Sequence, residues 1–237
     1  RMIQGGWEKA PASMLLDEIQ YSHPLLRFFN PFVAHRLKKL FEFRHQTTGE
    51  HLTETTDQAP TGKRIIVTGA TGLIGKRIVQ ILLEEGVSVV AFVRNVEKAR
   101  QTLGNRVTYA QWDFEHPEKG DWKPYLGEAD GVIHLAGTPL FQQRWTSDFK
   151  ERMERSRVDG TRQLVEAIAQ SDKKPDSFIS ASAVGIYGTD PNRQVDEQEP
   201  EAEDLLARIC FRWEDETKRL EESGVRAAQI RIGIVLS

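Results

Sequence analysis

The chain has 237 residues, 39% of them hydrophobic and 28% charged, with a formal net charge of -3. This is the composition of a folded chain rather than a disordered one, and its charge balance removes the general electrostatic case for nucleic acid or an anionic membrane. Cys210 is the lone cysteine, no secretory apolar core is seen, and no apolar run nears the ~20 residues of a spanning helix, so the chain reads as cytoplasmic with small-molecule partners.

Residues 2–20 read as extended structure and lead into the turn-prone Tyr21-Ser22-His23-Pro24. Asn30 before Pro31 is helix-capping chemistry followed by a first-turn proline, which predicts a helix from that point. Along it Val33, Leu37, Leu40 and Phe41 recur at helical spacing, while Arg36, Lys38, Lys39 and Arg44 fall on other faces and read as solvated surface. Residues 47–62 are polar, with Gly49, Pro60 and Gly62, and read as a linker. The chain begins inside one strand-like segment and stops just after another, so it reads as a piece of a longer protein.

From Lys63 the pattern alternates. Strands are expected at 64–68, 88–93, 107–112, 131–135, 177–180 and 227–235, and helices at 76–85, 147–170 and 203–223. Alternation of this kind needs crossover connections, hence a doubly wound α/β domain with a parallel sheet and helices on both faces. The first strand runs into Gly69-Ala70-Thr71-Gly72-Leu73-Ile74-Gly75 and then an apolar helix, the context in which such a loop cradles the diphosphate of a dinucleotide. Thr71, Leu73 and Ile74 are expected to contact the cofactor along with the three glycines.

The second strand ends in Phe92-Val93-Arg94-Asn95. With no carboxylate there to bind a bare ribose and a guanidinium able to grip a 2′-phosphate, Arg94 points to NADP(H) ahead of NAD(H). Asp113 has two readings of equal weight, an acceptor for the adenine amine or a cap for the following turn. The fourth strand delivers His134-Leu135-Ala136-Gly137, with Leu135, Ala136 and Gly137 passing the cofactor's ribose. His134 lies inside an apolar strand and reads as a satisfied buried histidine rather than a base.

Taken in order, Gly69-x-x-Gly72-x-x-Gly75, His134-Leu135-Ala136-Gly137 and Ser180-Ala181-Ser182-Ala183-Val184-Gly185-Ile186-Tyr187-Gly188 resemble the extended short-chain dehydrogenase/reductase superfamily, and within it the NAD-dependent epimerase/dehydratase family. Arg144-Trp145-Thr146, Ser156-Arg157-Val158-x-Gly160-Thr161, Cys210-Phe211-Arg212-Trp213-Glu214 and Arg231-x-Gly233-x-Val235-Leu236 resemble an epimerase-like subgroup. The stretch Leu37-x-x-Leu40-Phe41-x-Phe43-Arg44-His45 is similar to the closing helix of a START-like (SRPBCC) helix-grip domain, a fold that encloses apolar ligands. The resemblance implies a helix-grip remnant at 1–52, a linker at 53–62 and a Rossmann domain at 63–237 that stops before a carboxyl-terminal substrate region.

Active members of the superfamily use a tyrosine and a lysine four residues later on one helix face. The residues four beyond Tyr21, Tyr109, Tyr125 and Tyr187 are Leu25, Asp113, Ala129 and Pro191, so the pair is absent. Ile209 or Cys210 falls at the tyrosine position and Trp213 or Glu214 at the lysine position. Ser182 matches the serine that binds a substrate carbonyl or hydroxyl. Glu214 is its candidate catalytic companion, a carboxylate whose pKa a closed apolar pocket would raise. Cys210 and Trp213 read as core, and Tyr187 as cleft wall. The resemblance also places Ser180 and Val235 on the cofactor side. It puts Arg157 where many members carry asparagine, either reaching the cofactor or held in a structural ion pair.

Two functions follow from these residues. One is an NADP(H)-dependent, epimerase-like oxidoreductase acting on a small-molecule substrate without the usual pair. The other is a non-catalytic NADP(H)-binding sensor in which the helix-grip part holds an apolar ligand. A homodimer through the helices at 147–170 and 203–223 is implied by resemblance, against the heavy charge of their exposed faces. No metal site is expected.

Overall fold

The computed structural model describes residues 62–140, 143–188 and 195–235. The chain divides after Ala59, and these residues belong to the unit Pro60–Ser237. The helix-grip expectation for 1–52, and all of the linker expected at 53–62 save Gly62, lie outside the described residues.

Six strands, β1 (Arg64–Thr68), β2 (Ser88–Val93), β3 (Thr108–Gln111), β4 (Gly131–His134), β5 (Ser177–Ala183) and β6 (Arg226–Ile232), form one parallel sheet in the order β3-β2-β1-β4-β5-β6. The chain builds outward from β1 to β3, then returns to β1's other side with β4. The direction of winding therefore reverses between β1 and β4, and a crevice opens beyond the carboxyl ends of those two strands. Period-two alternation sends Ile66 of β1 into one core layer with Phe92, Trp122, Leu164 and Phe178, and Val67 into the other with Val79, Ala91 and Ala99.

The helices are α1 (Leu73–Glu84), α2 (Val96–Leu103), α3 (Lys123–Leu126), α4 (Ser147–Gln170) and α5 (Leu205–Lys218). Three start on side-chain caps. Asn95 accepts from the Lys98 amide, Thr146 from that of Phe149, and Asp204 from those of Leu206 and Ala207, each satisfying N–H groups that a first helical turn leaves free.

Several boundaries differ from the sequence expectation. The helix expected at 76 starts three residues earlier, because Gly72 is extended at φ -74, ψ 174 and serves as its N-cap. The glycine loop thus supplies the helix's first turn. The short α2 was not anticipated, although its ends carry the cap Asn95 and Gly104 at φ +78. β5 runs on to Ala183, where it still pairs in register with Ile232 of β6. The last helix ends at Lys218 and is followed by a 3-10 turn, Glu221–Ser223, that closes on Gly224 at φ +74. The final strand is Arg226–Ile232 rather than 227–235.

Candidate functional site

The glycine turn is tightly constrained backbone. Gly69 sits at φ +65, and a Cβ there would lie 2.8 Å from the Leu135 carbonyl carbon. A Cβ on Gly75 would come within 2.2 Å of the Gly69 carbonyl oxygen, so α1 approaches β1 only because residue 75 has no side chain. The Gly72 amide donates to the Gly69 oxygen at 2.9 Å and closes the turn. The amides of Leu73, Ile74 and Gly75 donate to no backbone carbonyl among the described residues, and first-turn N–H groups in that state are a receptor for phosphate oxygens. The cradle therefore fits a dinucleotide diphosphate.

A buried clasp holds the opposite wall. Thr68 Oγ1 accepts from the amides of Leu135 and Ala136, both at 3.1 Å, which uses its lone pairs. Its proton then goes to His134 Nδ1 at 2.7 Å, leaving Nε2–H to donate to Thr161 Oγ1 at 3.0 Å. This fixes the neutral imidazole in one tautomer. Burial holds the His134 pKa down at about 3, as a satisfied core histidine requires.

Between the glycine turn and Leu135-Ala136-Gly137 runs a cleft of about 480 Å³ that continues past Arg94. Among the described residues its lining holds three cations, Lys76, Arg94 and Lys98, and no carboxylate. Arg94 is exposed at the end of β2, as expected, and the cap at Asn95 turns α2 so that Lys98 faces the same cleft. Lys98 was missed in the sequence because only the fold of α2 brings it beside Arg94. Asp113 is absent from the lining, and its Oδ1 accepts from the Glu115 amide at 3.1 Å, which is the turn-capping role. Thr71 and Gly72 line the cleft, whereas Leu73 is 51% exposed and Ile74 half-buried at the head of α1.

At the carboxyl end of β5 a second constellation gathers. Ser182 Oγ donates to Glu214 Oε1 at 2.5 Å. Arg231, from β6, grips the same carboxylate with Nε to Oε1 and Nη2 to Oε2, both at 2.9 Å, and its Nη1 donates to the Tyr187 hydroxyl at 2.5 Å. Burial pushes the Glu214 carboxyl up, but the hydrogen bonds from Arg231 and Ser182 and the charge of Arg231 outweigh it and hold the pKa below the usual range. The expected raised pKa is thereby corrected: the carboxylate is buried, but the neighbouring strand supplies a counter-charge. Tyr187 is likewise not on the wall of the described cleft; it is buried with Ile186 and Cys210.

Cys210 and Trp213 are core residues, each 5% exposed, and burial pushes the Cys210 thiol up to about 11. Ser180 is buried within β5, and Val235 is exposed beyond β6. Arg157 makes no ion pair among the described residues, which removes that reading of it. Its Nη1 donates to the Met153 carbonyl of its own helix at 3.0 Å, and its guanidinium lies over the Trp213 ring and against Gly137. No group of three or more His, Cys, Asp or Glu able to hold a metal is found among the described residues, and no helix there is long and apolar enough to cross a membrane.

Comparison with known proteins matches residues 65–208 to the family model described as "NAD dependent epimerase/dehydratase family". The chain is 35% identical over 177 residues to the epimerase family protein SDR39U1 homolog, chloroplastic, of Arabidopsis thaliana, covering 73% of this chain and 49% of that protein. It is 35% identical over 173 residues to the epimerase family protein YfhF of Bacillus subtilis, covering 73% and 55%. The chain thus spans about half the length of the curated relatives it matches. Among solved structures it superposes on human epimerase family protein SDR39U1 (isoform2) with NADPH at a TM-score of 0.61, with 27% identity over 73% of this chain and 54% of that one. It also superposes on the nucleoside-diphosphate sugar epimerase from Corynebacterium glutamicum at a TM-score of 0.60, with 31% identity over 75% and 35%.

Proposed function

Because the chain belongs to the NAD-dependent epimerase/dehydratase family, we propose that its α/β unit binds NADP(H) in preference to NAD(H) and serves an epimerase-like oxidoreductase that works without a tyrosine and lysine pair. The observation that carries this reading is a cleft with a diphosphate cradle at one side, Arg94 and Lys98 farther along, and no carboxylate among the described residues of its lining. Arg94 just past β2 and Lys98 on α2 favour a doubly charged 2′-phosphate over a ribose hydroxyl. The NADPH carried by the human relative supports the same choice.

In this reading the free amides of Leu73, Ile74 and Gly75 receive the diphosphate, and Leu135, Ala136 and Gly137 let the cofactor lie close to backbone. The nicotinamide, when bound, supplies or accepts hydride. Ser182 has given its proton to Glu214, so toward a ligand it acts as an acceptor, and it would hold a substrate hydroxyl by that group's own proton. Glu214, tied to Arg231, fixes the Ser182 hydroxyl and its direction, and is a positioning residue. The substrate is a small molecule bearing such a hydroxyl.

Calorimetric titration of the whole chain tests the cofactor assignment. NADPH is expected to bind at least about tenfold more tightly than NADH, and Arg94→Ser to narrow that gap. Equal affinities in the unaltered chain would refute it. The rival, a non-catalytic NADP(H)-binding protein, is favoured by one observation, that Ser182, Glu214 and Arg231 are engaged with one another. Transfer of deuterium from labelled NADPH to any member of a panel of carbonyl compounds and sugar nucleotides would exclude the rival; tight binding with no transfer would favour it.

A further inference from the structure

On α4, Arg152, Arg155 and Arg162 all reach carboxylates: Glu115, Asp159, and the pair Glu216 and Asp159. Arg157 on the same helix does not. Its one hydrogen bond goes to a neutral carbonyl, that of Met153, which also accepts from Ser156 Oγ at 3.1 Å. Nε and Nη2 have no acceptor among the described residues. These two groups form the side-on edge with which a guanidinium grips an oxyanion through parallel N–H bonds.

The surroundings make the missing partner conspicuous. The guanidinium packs over the Trp213 ring at 5.4 Å and under Gly137, where a Cβ would sit 3.2 Å from its Cζ. Trp213 Nε1, itself buried, also lacks an acceptor. Burial lowers the Arg157 pKa, a sign that the cation pays for its position without a counter-charge. Gly137, Thr138 and Ser156 beside it all line the cleft, and Ser156 Oγ accepts the Thr138 amide at 3.0 Å, pinning that wall to α4. Arg157 is not itself part of that lining, but it is half-buried directly against Gly137, so a ligand lying on that wall comes close to a cation with no counter-charge among the described residues.

We propose that Arg157 is an anion-binding residue whose Nε–Nη2 edge receives a carboxylate or phosphate oxygen from a ligand lying against Gly137. The oxyanion comes either from the cofactor or from the substrate; this rests on the nucleotide cleft proposed above only in that both ligands share it. A substrate source would restrict the substrate class to acids or phosphate-bearing compounds.

The test uses the whole chain, its Arg157→Met variant and its Arg157→Lys variant. Each is titrated calorimetrically with NADPH, then with inorganic phosphate and with malonate, both with and without saturating NADPH. A cofactor source predicts that Arg157→Met loses about tenfold or more in NADPH affinity while Arg157→Lys keeps most of it. A substrate source predicts unchanged NADPH affinity and loss of phosphate or malonate binding. In either case the unliganded Arg157→Met protein melts no lower than the unaltered chain, because an apolar side chain of similar length removes a half-buried charge that has no partner among the described residues. Binding of every probe within about twofold of the unaltered chain, or a lowered melting temperature for Arg157→Met, overturns the proposal. If the unaltered chain fails to take up NADPH, the cofactor assignment falls, and the phosphate and malonate titrations of the unliganded chain still decide the role of Arg157.

Discussion

Replacing Thr68 with valine removes one oxygen and leaves the outline of the side chain almost unchanged. That oxygen serves three partners: the Leu135 and Ala136 amides and His134 Nδ1. Leu135 keeps a second acceptor, the Thr68 carbonyl at 3.3 Å, so its amide is not orphaned. The Ala136 amide and the imidazole nitrogen are, and each unsatisfied buried group costs about 1–3 kcal/mol. The expected loss is roughly 2–5 kcal/mol, or about 5–15 °C in melting temperature for a unit of this size. Urea unfolding of the whole chain, followed through Trp112, whose ring centroid is 6.0 Å from that of His134, measures it. Thr68→Ser keeps the oxygen and should lose only about 1 kcal/mol, the value of a methyl group. A Thr68→Val protein within about 1 kcal/mol of the unaltered chain, or a serine variant damaged equally, would refute the reasoning.

Other expectations follow from the same coordinates. Gly75→Ala drives a methyl to within 2.2 Å of the Gly69 oxygen and should cost about 3 kcal/mol and abolish NADPH uptake, whereas Gly104→Ala meets no atom within 4 Å and carries only the backbone penalty of its φ +78, ψ -165 conformation, about 1–3 kcal/mol; thermal melts and NADPH titration compare the two. Glu214→Gln leaves the partly exposed Arg231 without its counter-charge and should cost about 2–4 kcal/mol by urea unfolding at neutral pH. The Glu214 carboxyl titrates lower in the folded chain than its ordinary 4.5, so its contribution is complete above that value and is lost as pH falls through the folded pKa; the glutamine variant should lack this component of acid lability. His134 takes up a proton near 6.5 when unfolded but only at about 3 when folded, so between these values stability declines as pH drops, by about 1.4 kcal/mol per unit. Its nitrogen resonances should report the neutral Nε2–H form at pH 5, and a midpoint near 6 would contradict the clasp.

What the sequence discloses and what it hides divide along a physical line. Glycine spacing after an apolar strand is local information, so the cradle, β1 and β2 were legible, as was the span of α4. Arg94 was legible because its place at a strand end follows from the strand itself. The sign of the Glu214 shift was not, since it depends on Arg231, seventeen residues away, being carried by β6 to the edge of α5. A carboxylate in an apolar helix reads as desolvated until its partner's strand is placed. Asp113 was ambiguous for the same reason in reverse: its local turn competes with a distant ligand, and the turn has taken Oδ1. The isolation of Arg157 could not be read at all, because the want of a partner is a property of everything packed around a residue.

The strand order also bears on how the unit folds. β1, β2 and β3 can assemble through crossovers close in sequence, but β4 must return to β1 across an intervening stretch, and the bond from Thr68 to His134 spans 66 residues. Contacts of that separation cost chain-closure entropy before they return any energy, and the expectation for the Thr68 clasp is that it forms after the transition state. The Thr68 hydroxyl should then do little for the speed at which the native state is reached and much for its lifetime: Thr68→Val would chiefly accelerate unfolding, leaving the refolding arm of a chevron nearly where it was.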